Sequence, residues 1–267
     1  MVIIKDDLEM VVREVPHARE VKIYPISDVH YGSIACMEKE WYNFCGKVAK
    51  EENSYIILGG DLINNNTRSS VGSPFEDIVR PREQKKEMAR FLAPLREKLL
   101  CAVGGNHERR SAKDCDDDPM YDILAKLDLE DIYRPNTAFL KIKIGKRGSE
   151  PNKAKVAYTF AVTHGSGGGM YTGASVNRNE RFGTMCDGID GLIVGHSHKG
   201  AVSKPSKIVV DSYNEVITIK PFVVVGTTAW QSWGGYAAQK MLQPAATDRQ
   251  VLLLSGDKNN KQIQVVW

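Results

Sequence analysis

The sequence lacks most features that would settle its class at once. No uninterrupted apolar run approaches the ~18 residues that a membrane span needs. The start, MVIIKDDLEM, is too short and too acidic for a signal peptide, so a cytoplasmic protein with no membrane partner is expected. The five cysteines (Cys36, Cys45, Cys101, Cys115 and Cys186) form an odd set with no CxxC spacing. That argues against a zinc ribbon or a disulfide framework and for reduced, structural thiols. There is no internal repeat, heptad series or long low-complexity linker. A net charge of +3 is too small to demand a polyanionic partner. Histidine is scarce as well, with six in 267 residues.

What is present reads as a globular α/β protein. With 42% hydrophobic and 26% charged residues, the chain can bury a large core, and one domain over 1–267 is the expectation. Short continuous apolar runs at 21–26, 54–59, 99–103, 155–163 and 191–195 read as strands, of the kind covered by helices on both faces. In PREQKKEMARFLAPLREKL, Met88, Phe91, Leu92, Leu95 and Leu99 recur at helical steps, with Pro94 as a kink. In DDDPMYDILAKLDL, Asp118 caps a helix that opens on Pro119. FLKIKIG alternates and KRGSEPNK turns; KIVVDSYNEVITI, FVVVGTTAW, QVLLLSG and QIQVVW add further strands. The expected architecture is a two-sheet β-sandwich flanked by helices, four layers in the order α/β/β/α.

Five of the six histidines fall in PISDVHYGS, CAVGGNHERR, FAVTHGSGGG and GLIVGHSHKG; IILGGDLINNN supplies a further aspartate. In each stretch an apolar run leads into Asp, Asn or His, usually through glycine. Ligands of layered α/β proteins bind beyond the carboxyl ends of strands, so the fold would gather these tips. The candidates are Asp28, His30, Asp61, Asn106, His107, His164, His196 and His198. Oxygen and imidazole donors without thiolate suit Mn, Fe, Zn, Co or Ni. Taken singly, the aspartates could cap helices and Asn106 could occupy a left-handed turn.

The ordered set DVH, GGD, GNHE, THG and GHSH resembles the calcineurin-like metallophosphoesterase superfamily, nearer its DNA-repair-exonuclease-like and phage-type branch than its secreted acid phosphatases. The resemblance implies a metallophosphoesterase-like fold and a phosphoester hydrolase. It would hold two divalent or transition metal ions, Mn being expected and Fe, Zn, Co and Ni the alternatives. One ion would be held by Asp28, His30 and His198 and the other by Asn106, His164 and His196, with Asp61 bridging both. A hydroxide shared by the ions would attack in line, and Asp61 would keep the pair close. His107 would face the phosphate as an imidazolium, stabilising charge or protonating the leaving oxygen. Along a strand-like HxH, alternate side chains would reach the two ions and Ser197 would point away.

GDLINNN lacks the GDxxDRG arginine of the Ser/Thr phosphatases, so that class is not expected. Substrate candidates are Arg109, Asn64 and Arg68, with Arg178 and Arg181 on one helix face; a plain exposed loop is the competing reading for NNNTRSS, and a flexible turn for GSGGG. Arg178 and Arg181, with Arg109 and Arg110, would form a modest basic collar, the one hint of nucleic acid as a partner. Tyr171, Trp230 and Trp233 are candidate base-stacking residues, although core packing or an oligomer contact suits TTAWQSW better. Three functions remain open: phosphodiesterase, including nuclease; phosphomonoesterase on a nucleotide or other small phosphate; and a non-catalytic metal-binding scaffold.

Overall fold

The computed structural model describes residues 9–267 except Ser69, 71–76, 146–154, Met170, 235–236, 239–240 and Ala245. The KRGSEPNK turn therefore lies outside the described residues. Among those described, the strands are β1 (Met10–Val15), β2 (Glu20–Ile26), β3 (Ser54–Leu58), β4 (Leu99–Val103), β5 (Tyr133–Arg134), β6 (Thr137–Ile144), β7 (Val156–Thr163), β8 (Gly191–Val194), β9 (Ala201–Ser203), β10 (Ser206–Asp211), β11 (Val216–Pro221), β12 (Val223–Gly226), β13 (Val251–Ser255) and β14 (Ile263–Val266). The α-helices are α1 (Glu38–Lys50), α2 (Pro81–Leu92), α3 (Glu108–Cys115), α4 (Pro119–Ala125) and α5 (Thr172–Met185).

Two six-stranded sheets form, in the orders β14-β13-β2-β3-β4-β5 and β1-β6-β7-β8-β12-β9. Their inner faces share a core in which Ile23, Leu252 and Leu254 of one sheet join Leu140, Tyr158 and Phe160 of the other. The apolar runs are thus covered by helices on one face only. The other sheet covers the second face, and both coverings demand the same continuous apolar strand.

Trp41, Cys45 and Val48 give α1 a buried stripe at three- and four-residue steps. Met88, Leu92, Leu95 and Leu99 are fully buried as expected. Pro94 does more than bend its helix: α2 ends at Leu92 and Ala93–Lys98 continues as a 3₁₀ turn, because proline cannot donate an i→i−4 bond. Asp118 caps α4 through the Tyr121 N–H. Asp117 and Asp122 pair with Lys85, so the acidic run is a bracing element. In β6 every second residue is buried. α5, which carries Arg178 and Arg181 on a helix as expected, packs on β8, β9 and β12. The five thiols are free, and no described helix is long and apolar enough to cross a membrane.

β2, β3 and β4 run parallel in one sheet and β7, β8 and β12 in the other. Their carboxyl ends meet along one edge of the sandwich, where the polar tips converge.

Candidate metal centre

Past its last strand residue the β2 loop remains zipped to the β3 loop: Asp28 N–H donates to Gly60 O, His30 N–H to Asp61 O and Tyr31 N–H to Leu62 O, each at 3.0 Å. Trp230 N–H in turn donates to Asp28 O at 2.9 Å. The GGD and GGN loops touch backbone to backbone. A Cβ on Gly60 would lie 2.6 Å from Gly105 N, and one on Gly105 would lie 2.1 Å from Asp61 Oδ1. Any side chain at either glycine would push the loops apart.

Asp28, His30, Asp61, His196 and His198 all adopt positive φ, between 49° and 68°. Such left-handed backbone costs a non-glycine residue of order 1 kcal/mol or more and survives only where surrounding contacts impose it. This corrects the strand-like HxH. β8 stops at Val194, and both histidines project from a left-handed turn closed by Ser197 N–H on Gly195 O at 2.8 Å.

The donors fall into two groups that meet at Asp61. In the first, Asp28 Oδ1 lies 3.2 Å from His198 Nε2 and 3.8 Å from His30 Nε2, and the two imidazole nitrogens are 3.2 Å apart. In the second, Asn106 Oδ1 lies 2.9 Å from His164 Nε2 and 2.7 Å from His196 Nδ1. Asp61 Oδ2 is 3.2 Å from His164 Nε2 and 3.9 Å from His30 Nε2, so one oxygen faces both groups. Donors bound at ~2.1 Å around one ion stand ~3 to 3.5 Å apart, and these spacings bracket that value.

Fit to a cation is tested most directly by Asp28. Its side chain is wholly buried, and Oδ1 has no hydrogen-bond partner. A bare buried carboxylate oxygen costs several kcal/mol unless a charge answers it. The other oxygen is occupied, accepting from Ser27 Oγ and from His196 N–H. Burial opposes ionisation of Asp28, yet His198, His30 and His164 outweigh it and hold the carboxyl well below the usual range. Burial likewise pulls His164 down, but Asp61, Asp28 and the Gly59 carbonyl bring it up to about 10. His164 Nδ1 donates to Gly59 O at 2.8 Å, which aims Nε2 at the site. The residues present therefore fit divalent metal.

His107 sits at the edge of both groups. Its N–H donates to Asp61 Oδ1 at 2.7 Å, and its ring contacts His30, Nδ1 to Nδ1, at 3.3 Å. A guanidinium can only donate, so Arg110 Nη2, 2.8 Å away, makes His107 Nε2 an acceptor; Nδ1–H then donates to Asn64 O at 2.7 Å. Burial, His30 and Arg110 push the pKa of His107 down to about 3. The expected imidazolium is thus a neutral ring here, with its proton on Nδ1. Geometry also leaves His107 within ligand range of His30 and Asp61.

Glu108 is the clamp the sequence hid. It is buried, and its carboxylate accepts from the N–H groups of Asp61, Leu62, Ile63 and Gly105 at 2.7–3.3 Å, holding the GGD and GGN loops at one point. Burial and the Asp61 charge push its pKa up to about 7. Its position three residues after Gly105, opening α3, was the available signal, since a glutamate there reaches back as in a capping box.

The substrate candidates divide. Asn64 is buried and donates to Asp77 Oδ1 at 2.6 Å, and Asn65 and Asn66 are buried as well, so residues 64–66 are a packed brace rather than an exposed loop. Arg68 and Arg181 are exposed. Arg109 donates to Gly104 O and Pro135 O, and Arg178 to the carbonyls of Ser166, Gly167 and Gly168. Both guanidinium groups are engaged by backbone carbonyls, not by a donor of the centre. Arg110, absent from the strongest sequence candidates, reaches the site instead and also donates to Asn64 O and Asn66 Oδ1 at 3.0 and 2.6 Å. Trp230 is core, stacked under Arg249, whereas Tyr171 and Trp233 are exposed. His198, with its side chain 36% exposed against 2% for His30 and 1% for His164, marks the open side of the centre.

Carboxylates and imidazoles gathered at strand ends, with ligand atoms within 4.8 Å of one another, make a candidate metal centre. Residues 21–200 match the calcineurin-like phosphoesterase family, and the chain belongs to it: it is a phosphoester hydrolase that works with divalent metal. No curated protein shows a significant sequence match. Among solved structures, the chain is similar to an uncharacterised predicted phosphoesterase from Streptococcus pneumoniae TIGR4 (12% identity, TM-score 0.33, covering 92% of this chain and 98% of that one). It is similar also to a metallophosphoesterase from Sphaerobacter thermophilus (17%, 0.38, 92% and 89%). A third is the NAD nucleotidase of Haemophilus influenzae (11%, 0.41, 93% of this chain but 49% of that one).

Proposed function

We propose that the chain hydrolyses phosphodiesters at a dinuclear centre, preferably loaded with Mn. Asp28, His30 and His198 would hold one ion and Asn106, His164 and His196 the other, with Asp61 between them. The observation that carries this reading is the bare, buried Asp28 Oδ1 facing imidazole donors, with a second donor group across Asp61. Two bound ions supply charge neutralisation, a clamp on phosphoryl oxygens and a shared water acidic enough to yield hydroxide near neutral pH.

The chain's own residues do the rest. Glu108 fixes the two loops that set Asp61 against Asn106. Gly59 orients His164, and Ser27 turns Asp28 so that Oδ1 faces inward. His107 Nε2, 3.9 Å from Asp61 Oδ2, is a ring nitrogen outside the proposed ligand set. Once substrate draws Arg110 away onto the phosphate, Nε2 would take up the proton lost by the attacking water and pass it to the leaving oxygen. A diester suits this inventory, because a monoanion needs less added positive charge than a dianionic monoester, and Arg109 and Arg178 are both occupied by carbonyls. The test compares rates on a bis-aryl and a mono-aryl phosphate with Mn²⁺, then on single- and double-stranded DNA, RNA and cyclic nucleotides. A preference for the bis-aryl ester is expected. A preference for the mono-aryl ester would replace the diester reading with a phosphomonoesterase, and activity undiminished by chelation would overturn the metal reading.

A further inference from the structure

β10 and β11 form a two-stranded antiparallel ribbon hydrogen-bonded to neither large sheet. Directly opposed residues share a face, so its register, Ile208 against Ile219 and Val210 against Ile217, sorts the side chains. Lys207, Lys220 and Asp211 lie on the partly buried face; Lys207 lies over the Phe222 ring and donates to Cys186 O. The opposite face carries Ser206, Pro221, Ile208, Ile219, Val210 and Ile217, with no charge at all. Its four branched aliphatics are 68–75% exposed. Val209, Thr218 and Val216 share the face of the lysines, so every charged residue of the two strands lies on that face and the wholly uncharged face is turned to water. A lone two-stranded ribbon is marginal in water, and a contiguous apolar face on one marks an interface.

We infer that this face is the contact between two copies of the chain, packed ribbon on ribbon about a two-fold axis with their strands antiparallel. Three features of the ribbon favour a second copy. The face is self-complementary, because the Val210–Ile217 pair of one copy can lie on the Ile208–Ile219 pair of the other, as an isologous contact requires. Charge also matches: the tip carries exposed Glu215 and the base exposed Lys204, so the antiparallel arrangement sets each tip against the opposite base. The area is of the right order: the four aliphatics expose about 450 Å² per copy, against the ~600 Å² a side at the lower end of specific interfaces, and exposed Tyr213 adjoins them at the tip. The inference does not depend on the chemistry of the metal centre.

Sedimentation velocity on the full chain from about 1 to 100 μM should show a monomer–dimer equilibrium. Ile217→Lys should weaken the dimer at least tenfold while metal content and turnover on a bis-aryl phosphate stay unchanged, which shows that the variant is folded. Thr218→Lys puts the same charge on the same strand but on the opposite face, and should leave the dimer intact. A wild-type chain that is monomeric throughout overturns the inference, as does an Ile217→Lys protein that remains dimeric. Equal weakening by Thr218→Lys would also overturn it, since the ribbon as a whole rather than this face would then be responsible.

Discussion

The two donor groups of the candidate metal centre, its two halves below, meet at Asp61 but are held in different ways. On one side, Asp28 brings a full negative charge through an oxygen that nothing else satisfies, and His30 and His198 crowd against it. On the other, Asn106 brings only a neutral amide oxygen, to which His164 and His196 already point, and His164 is fixed behind by Gly59. The first half is rich in charge and poorly satisfied without a cation, whereas the second is organised before any cation arrives. In the proposed centre an ion in the first half would be answered by a carboxylate of its own as well as by Asp61, and an ion in the second by Asp61 alone. The proposed centre should therefore bind one ion more tightly than the other.

The largest expected effect removes the residue common to both halves. Asp61→Asn should strip metal from both and lower turnover about 10⁴-fold or more, since charge neutralisation and positioning fail together. Asp28→Asn should lose metal mainly from its own half. Metal analysis after gel filtration distinguishes them, and an Asp61→Asn protein retaining two ions with near-normal rates would break the shared-ligand comparison.

His107→Gln should lower turnover about 10²- to 10⁴-fold, the range of a positioned acid, with metal content unchanged in either half. The defect should shrink on a nitrophenyl ester, whose leaving group needs little protonation. Loss of one ion instead would place His107 among the ligands of the first half, beside His30.

How much of this was legible depended on the range of the contacts involved. The strands and polar tips could be read because continuous apolar runs and the residues that follow them are local. α1 was missed: its buried stripe of Trp41, Cys45 and Val48 is diluted by exposed charges. The left-handed backbone at His196 and His198 could not be read, because Asp, Asn and His merely tolerate that conformation and it is imposed from outside, by contacts such as His196 N–H on Asp28. Ser27 and Thr227, whose hydroxyls meet at 2.5 Å, are 200 residues apart and carry no mutual signal. The neighbours Arg109 and Arg110 project about 100° apart on a helix, so which one faces the site depends on where α3 begins. No local pattern fixes that.

A smaller effect should separate the halves by charge. Limited chelation should remove the Asn106-side ion first, leaving about one equivalent and little activity. Asn106→Asp, which gives that half a carboxylate of its own, should tighten its ion about tenfold. Isothermal titration with Mn²⁺ should resolve two binding steps in the wild type and bring them closer together in the variant. Two identical sites in the wild type would remove the asymmetry.

A last comparison concerns the two neighbouring arginines of α3. Arg110 touches His107 Nε2 and is held by Asn64 and Asn66, so in Arg110→Ala the histidine loses a donor and, in the proposed mechanism, the phosphate loses its guanidinium. One charge-assisted hydrogen bond is worth about 1.5–3 kcal/mol, which corresponds to a roughly ten- to hundredfold loss in kcat/KM. Arg110→Lys should recover little, because an ammonium cannot span Asn64, Asn66 and His107 together. Arg109→Ala removes only the bonds to the Gly104 and Pro135 carbonyls. It should lower Tm by a few degrees at most and leave kcat/KM within about twofold, as expected of an exposed brace. Steady-state kinetics on one diester with all three variants decides the matter. If Arg109→Ala proved the more damaging to kcat/KM, the phosphate would approach from the outer side of α3, and Arg110 would be a support for His107 alone.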